Sequence, residues 1–233
     1  MVSINSVRQT VLALLNKEER GYIAPTEFNK FAKQAQLDIF ESYFYDKQHF
    51  NISRKGQNGE IQKDIQEKID LFFVRNGTAL TMSNGRFELP EDLYRLEHVY
   101  YTPSGGTRTI VDKINHKGSA YVYSSPLTEP TTTFPKYERY GDTVEVRPAT
   151  ITSNVTLDYI KSPSDPIWGY SRLGTSTTPQ YNSARSTDFE LHPSDEYRLV
   201  EMILLYSGVQ VKQNDIIQVA AAGAVSDDAN KKQ

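Results

Sequence analysis

The hydrophobic positions in the first 76 residues recur at the spacing of α-helices. Val7, Val11, Leu14 and Leu15 share one helical face, since they stand at i, i+4, i+7 and i+8. A second helix is expected to begin at Pro25, because proline fits the first turn of a helix. A third is expected to end at Asn76-Gly77. The apolar positions of these two helices repeat every three to four residues: Phe28, Phe31, Ala35, Ile39, Tyr43 and Phe44, then Ile61, Ile65, Ile69 and Phe72 or Phe73.

From Thr78 onward the alternation changes to the period of two that is typical of β-strands. Asn84-Gly85 and Gly141-Asp142 are dipeptides that favour tight hairpin turns. Strands are predicted over 78–82, 86–89, 97–102, 108–115, 119–123, 136–140, 143–147 and 154–161. Short strands separated by Gly and Pro predict an antiparallel β-sandwich or an open barrel.

A late helix is predicted to follow Ser194, which can cap it, with Asp195 and Glu196 in its first turn. The whole order predicts an α+β fold. Residues 1–76 and 194–225 are expected to form a helical bundle, and residues 78–161 an antiparallel β domain.

Between these parts, residues 162–193 are rich in Ser, Thr, Pro and Gly and carry the only tryptophan of the chain. An unstructured loop of this length is uncommon inside a compact domain unless it has a function. One interpretation is an arm that orders against a neighbouring subunit, and the other is a loop that folds back over its own sheet. The arm interpretation makes five apolar side chains candidates for a subunit or partner interface: Ile167, Trp168, Tyr170, Leu173 and Tyr181.

The composition narrows the possible functions. The chain has 233 residues, no cysteine and a net charge of -3, with 26 basic and 29 acidic residues interspersed. Thiolate chemistry and disulfides are therefore excluded, and the sequence has no basic stretch of the kind that binds nucleic acid. No apolar run reaches the roughly 18 residues of a membrane span, and the N-terminus does not resemble a secretory signal. We expect a protein made in the cytoplasm that does not enter a membrane.

The sequence offers little catalytic chemistry. His49, His98, His116 and His192 are far apart and match no metal-ligand spacing. The acidic pairs at 91–92 and 195–196 stand at expected helix starts, where the helix dipole explains them. No G-x-S-x-G motif is present. We therefore expect no enzyme activity, no catalytic residue, no cofactor and no metal.

The segment Arg86 to Tyr101 combines two aromatic strands with a corner between them. Pro90 lacks the N–H that a sheet requires, so it ends the first strand, and the two acidic residues after it suit a single helical turn. The corner motif comprises Phe87, Leu89, Pro90, Asp92 and Arg95.

This corner, the helical N-terminus before it and the β-rich stretch and late helix after it resemble the adaptor proteins of short-tailed bacteriophages. These are head-to-tail connectors of the tail tubular protein A or gatekeeper type, and the chain is most similar in character to the portal-proximal ring protein of crAss-like phages. The opening residues 2–46 also resemble the N-terminus of phage virion proteins.

The resemblance implies a virion protein at the head–tail junction. Such a protein forms a ring, typically of twelve copies, that binds the portal above and tail or ring proteins below. Genomic DNA passes through its lumen without sequence-specific binding. Two other functions remain open: a neck or head-completion protein elsewhere in the tail stack, and a carbohydrate- or receptor-binding tail module, which would also use strands and exposed aromatic residues.

Overall fold

The computed structural model describes residues 1–17, 22–52, 59–172 and 178–211. In chain order its helices are α1 (Ile4–Lys17), α2 (Pro25–Ile52), α3 (Gly59–Asp70), α4 (His116–Ser124) and α5 (Glu196–Val211). Its strands are β1 (Phe73–Val74), β2 (Met82–Ser83), β3 (Arg86–Glu88), β4 (Leu93–Tyr101), β5 (Thr109–Lys113), β6 (Lys136–Tyr140), β7 (Thr143–Arg147), β8 (Val155–Lys161), β9 (Tyr170–Ser171) and β10 (Gln180–Tyr181). The α+β class is confirmed.

The chain divides into two compact units. The helical unit comprises Met1–Leu71 together with the chain from Pro163 onward, and the β unit comprises Phe72–Ser162. The part of the predicted late helix beyond residue 211 lies outside the described residues.

In the helical unit, the predicted apolar faces of α1, α2 and α5 form the core. Val7 and Val11 of α1 are fully buried, whereas Leu14 is 41% exposed and lies at the edge of this face. The other helices contribute Phe28, Ala35, Ile39, Phe40, Leu199 and Ile203. Burial of such a stripe supplies most of the stability of an amphipathic helix.

The described parts of the next segment, residues 163–172 and 178–193, pack into the helical unit. Two isolated β-bridges, Val2 with Phe189 and Ile167 with Thr187, attach the segment to the N-terminus and to itself. Gln36, 1% exposed, donates to the Ser164 carbonyl at 2.7 Å and accepts from the Glu190 N–H at 3.1 Å. The prediction of an extended loop is therefore wrong for the described residues, because buried hydrogen bonds hold the segment in place.

The β unit is a single curled sheet in the order β1-β8-β4-β5-β6-β7-β3-β2. Neighbouring strands are antiparallel except β5 and β6, which are parallel, so the prediction of a wholly antiparallel sheet is wrong. β5 pairs with β4 through Thr109 to Val111 and with β6 through Asp112 and Lys113. The curled sheet packs around one core: Phe87, Val99, Val111, Tyr137, Val144, Val146, Ile151, Val155, Leu157 and Tyr159.

Four local predictions are corrected. Residues 119–123 are helical, in α4, although they alternate as a strand would. The third helix ends at Asp70, because Phe73 and Val74 pair with β8. In the first predicted strand, only Met82 of residues 78–82 lies in a strand, β2. The predicted helical turn at 91–92 is a plain turn, closed by the Leu93 N–H donating to the Pro90 carbonyl at 3.1 Å.

Candidate interaction surfaces

The structure brings together three of the five residues predicted to form an interface. Trp168 stacks on Tyr170 with ring centroids 6.0 Å apart and lies 5.9 Å from the ring of Tyr181. Tyr170 and Tyr181 face each other across the β9–β10 pair. Ile167, on the same segment, is 44% exposed, and Leu173 lies outside the described residues.

Trp168 itself is a core residue, only 3% exposed. Its indole N–H donates to Asn5 Oδ1 at 3.1 Å, and its backbone N–H donates to Asn29 Oδ1 at 2.8 Å. A buried tryptophan needs such a partner for its N–H, and here α1 and α2 provide it. Among the four predicted interface residues that the structure describes, Ile167 and Tyr181 are the exposed ones.

The corner motif has a structural role in the β unit. Phe87 is fully buried, and the Leu89 N–H donates to the Asp142 carbonyl at 3.0 Å. Asp92 accepts a hydrogen bond from the Tyr159 hydroxyl at 3.2 Å, and burial together with this carboxylate raises the pKa of Tyr159. Arg95 pairs with Glu97 at 3.4 Å at the surface. The motif thus fixes the connection from β3 to β4.

The most exposed apolar part of the β unit is the crossover segment, residues 115–135, which joins β5 to β6. Parallel strands cannot be joined by a tight hairpin, so the chain must leave the sheet here. Its helix α4 has no buried residue. Tyr121 is 79% exposed, Leu127 94% and Phe134 71%.

The crossover segment is nevertheless held in place at both ends and internally. Ile114 before it and Pro135 at its end are buried. The Thr128 hydroxyl donates to the Val122 carbonyl at 3.1 Å, and the Lys136 ammonium donates to the Thr128 carbonyl at 3.3 Å. These contacts order the backbone while its large apolar side chains face solvent.

A buried carboxylate anchors the start of α4. Glu138 on β6 is 3% exposed, and its Oε1 lies 2.5 Å from Nδ1 of His116. Its Oε2 accepts a hydrogen bond from the Tyr140 hydroxyl at 2.8 Å. Burial alone would raise the pKa of Glu138, but the hydrogen bonds from Tyr140 and His116 outweigh burial and lower it.

The lowered pKa makes the stability of the β unit sensitive to acid. A carboxylate with a depressed pKa stabilises the fold above its unfolded pKa of about 4.3, and this contribution is lost as pH falls through the folded pKa. We expect Glu138→Gln to be less stable than the wild type at pH 6, with the difference shrinking at pH 3. Urea unfolding of both proteins at the two pH values measures this. A difference independent of pH would contradict the assignment.

An open pocket of about 750 Å³ lies beside this anchor. Its lining includes three cationic side chains, Lys113, Lys117 and Arg139, with His116, and one acidic residue, Asp142. Among the described residues, no group of three His, Asp or Glu side chains is arranged to hold a metal ion. The lining can attract an anion, but nothing in its geometry selects one.

The length of the connection between β5 and β6 is the sequence feature that indicates a crossover segment. β5 and β6 are separated by residues 114–135, a connection far longer than the two to five residues typical of a hairpin. This length is typical of a crossover with its own helix. The alternating Ser119, Tyr121 and Tyr123 were instead consistent with another strand.

Within the described residues, no helix is long and apolar enough to cross a membrane. Neither the protein-family models nor the curated proteins include a match to this chain.

Proposed function

We propose that this chain is a structural virion protein that forms the ring connecting the portal of a short-tailed phage to its tail. The observation that carries the proposal is the crossover segment, which is ordered by its own contacts yet leaves Tyr121, Leu127 and Phe134 more than two-thirds exposed. The protein acts through contact with neighbouring subunits.

Exposed apolar side chains on the crossover segment favour a protein partner. Each isolated apolar residue at a surface is ordinary, but a group of three on one ordered segment is typical of an interaction site. Tyrosine and phenylalanine are enriched at interfaces, because they bury a large rigid area at little entropic cost. A ring repeats one heterologous contact between a protrusion and a different surface of the next copy.

The corner motif and the order of elements support the connector over other assemblies. The order of three helices, a β unit that contains the corner and a late helix resembles that of the phage adaptors. The net charge of -3 is compatible with a lumen that lets DNA pass, since strongly basic walls would bind phosphate.

The test replaces the three exposed side chains together, as Tyr121→Ser, Leu127→Ser and Phe134→Ser. We expect the wild type to assemble into rings of about twelve copies and the variant to remain monomeric with an unchanged unfolding midpoint, because these side chains contribute little to the core. Light scattering after size-exclusion chromatography and negative-stain imaging measure the assembly, with portal protein added if the wild type alone is monomeric.

A matched control lies on the same segment. Thr132→Ala with Thr133→Ala changes two exposed polar residues, and we expect rings as in the wild type. A wild-type trimer would favour a receptor-binding module instead. A monomer that ignores portal protein, or a triple variant that still forms rings, would contradict the proposal.

A further inference from the structure

Arg8 on α1 is a buried cation, and two of its N–H groups have no acceptor among the described residues. It is 7% exposed, and its guanidinium lies 3.8 Å from the ring centroid of Trp168 and 5.9 Å from that of Phe28. Among the described residues, neither Nε nor Nη2 of Arg8 has a hydrogen-bond partner. These two atoms form one side of the planar guanidinium and point in the same direction.

In a single subunit, such an arrangement lowers the free energy of unfolding. Buried polar groups are nearly always hydrogen-bonded, and a buried charge without a partner is among the most destabilising features a core can contain. Burial lowers the pKa of Arg8, and the Tyr22 hydroxyl beside it opposes this effect only in part. The stacking on Trp168 stabilises the cation, but no group in the described ranges accepts from either donor.

The geometry of the two donors specifies the chemistry of their partner. Parallel N–H groups on one side of a guanidinium match the two oxygens of a carboxylate, which is the commonest bidentate partner of arginine. The surrounding surface favours a carboxylate carried by a protein side chain over a free anion. Ile167 and Tyr181 are partly exposed around Trp168, and Tyr22 is 62% exposed.

We propose that Arg8 receives an Asp or Glu side chain from a neighbouring copy of this chain, which docks between Tyr22 and the aromatic residues around Trp168. This inference rests on the proposed ring. The incoming carboxylate displaces Tyr22 and accepts hydrogen bonds from Nε and Nη2, so that assembly removes the cost of the unpaired charge. Arg8 then stabilises the contact between subunits and lowers the stability of the free subunit.

The experiment compares wild-type full-length chain with Arg8→Met and Arg8→Lys. Methionine keeps the apolar length and removes the charge, so we expect the free Arg8→Met subunit to melt several degrees higher than the wild type. We also expect it to lose ring assembly. Lysine keeps the charge but not the paired donors, and we expect it to lose assembly without any gain in stability.

A second measurement tests the carboxylate directly. Sodium acetate should raise the melting temperature of the free wild-type subunit above its value in sodium chloride at equal ionic strength, and should leave Arg8→Met unchanged. Arg95→Met is the control, because Arg95 is exposed and already paired with Glu97. It should retain both the acetate response and assembly.

The outcomes separate this inference from the proposed function. Rings formed equally well by Arg8→Met would overturn the inference and leave the connector intact, as would an Arg8→Met subunit less stable than the wild type. The absence of an acetate effect on the wild type would also overturn it. If wild-type chains form no rings but acetate stabilises them through Arg8, the connector proposal fails and so does a neighbouring copy as the source of the carboxylate, while carboxylate binding by Arg8 itself is supported.

Discussion

Replacing Gly169 with alanine should destabilise the helical unit by about 3 kcal/mol or more. A Cβ at this position would lie 2.4 Å from the Arg185 carbonyl oxygen and 2.5 Å from its carbon, and real side chains do not approach backbone so closely. The backbone cannot move away easily. The Gly169 N–H donates to the Ser186 hydroxyl at 3.0 Å, and its carbonyl accepts from Asn182 at 2.9 Å. Urea unfolding followed by circular dichroism measures the loss.

Gly118→Ala is the matched control for this change. Gly118 lies in α4, and nothing stands within 4 Å of its added Cβ. Because alanine favours the helix over glycine, we expect a gain of about 0.5–1 kcal/mol. A Gly169→Ala protein as stable as the wild type would mean that the segment around Trp168 shifts freely, and that the close packing of residues 163–172 and 178–193 does not persist in solution.

The helices could be predicted from the sequence wherever one face is buried. The apolar spacing of Val7 and Val11 and the proline at 25 located α1 and α2, because periodicity reports the side of a helix that meets a core. The strands β6 and β7 were predicted with their observed bounds, since Gly141-Asp142 fixes the turn between them. Local signals were sufficient for these elements.

The location of Trp168 could not be predicted, because its partners are remote in the sequence. Asn5 and Asn29, which bind it, are 163 and 139 positions away. A segment rich in Pro, Gly and Ser has the composition of a loop whether or not it packs, and only tertiary contacts decide between the two. Of the candidate interface predicted there, Trp168 is therefore a core residue, whereas Ile167 and Tyr181 stay exposed.

For the crossover segment the prediction erred in the other direction, because exposed apolar residues were not recognised as such. Local alternation over 119–123 favoured a strand, yet the parallel pairing of β5 with β6 determines the conformation of the connection. Strand direction is a property of the whole sheet, so no short window of sequence contains it. The exposed residues Tyr121, Leu127 and Phe134 were consequently absent from the predicted interface.

Asp195→Ala should be the most damaging substitution of a charged residue in the helical unit, at about 3–5 kcal/mol. The Asp195 carboxylate is 5% exposed. It accepts hydrogen bonds from the Tyr43 hydroxyl at 2.6 Å and from the Lys68 ammonium at 2.8 Å. Alanine removes the acceptor of both, and leaves a phenol and an ammonium ion in surroundings with little water. The Lys68 side chain is 24% exposed, so partial hydration places the expected loss near 3 kcal/mol.

An exposed pair with the same two residue types provides the control. Asp165 pairs with Lys33 at 2.7 Å, but their side chains are 56% and 50% exposed. Water replaces the lost partner there, so Asp165→Ala should cost less than about 1 kcal/mol. Denaturant midpoints of both variants measure the contrast. Equal small losses would show that Tyr43 and Lys68 become hydrated when Asp195 is removed. Water would then reach the site where α2 and α3 meet the start of α5.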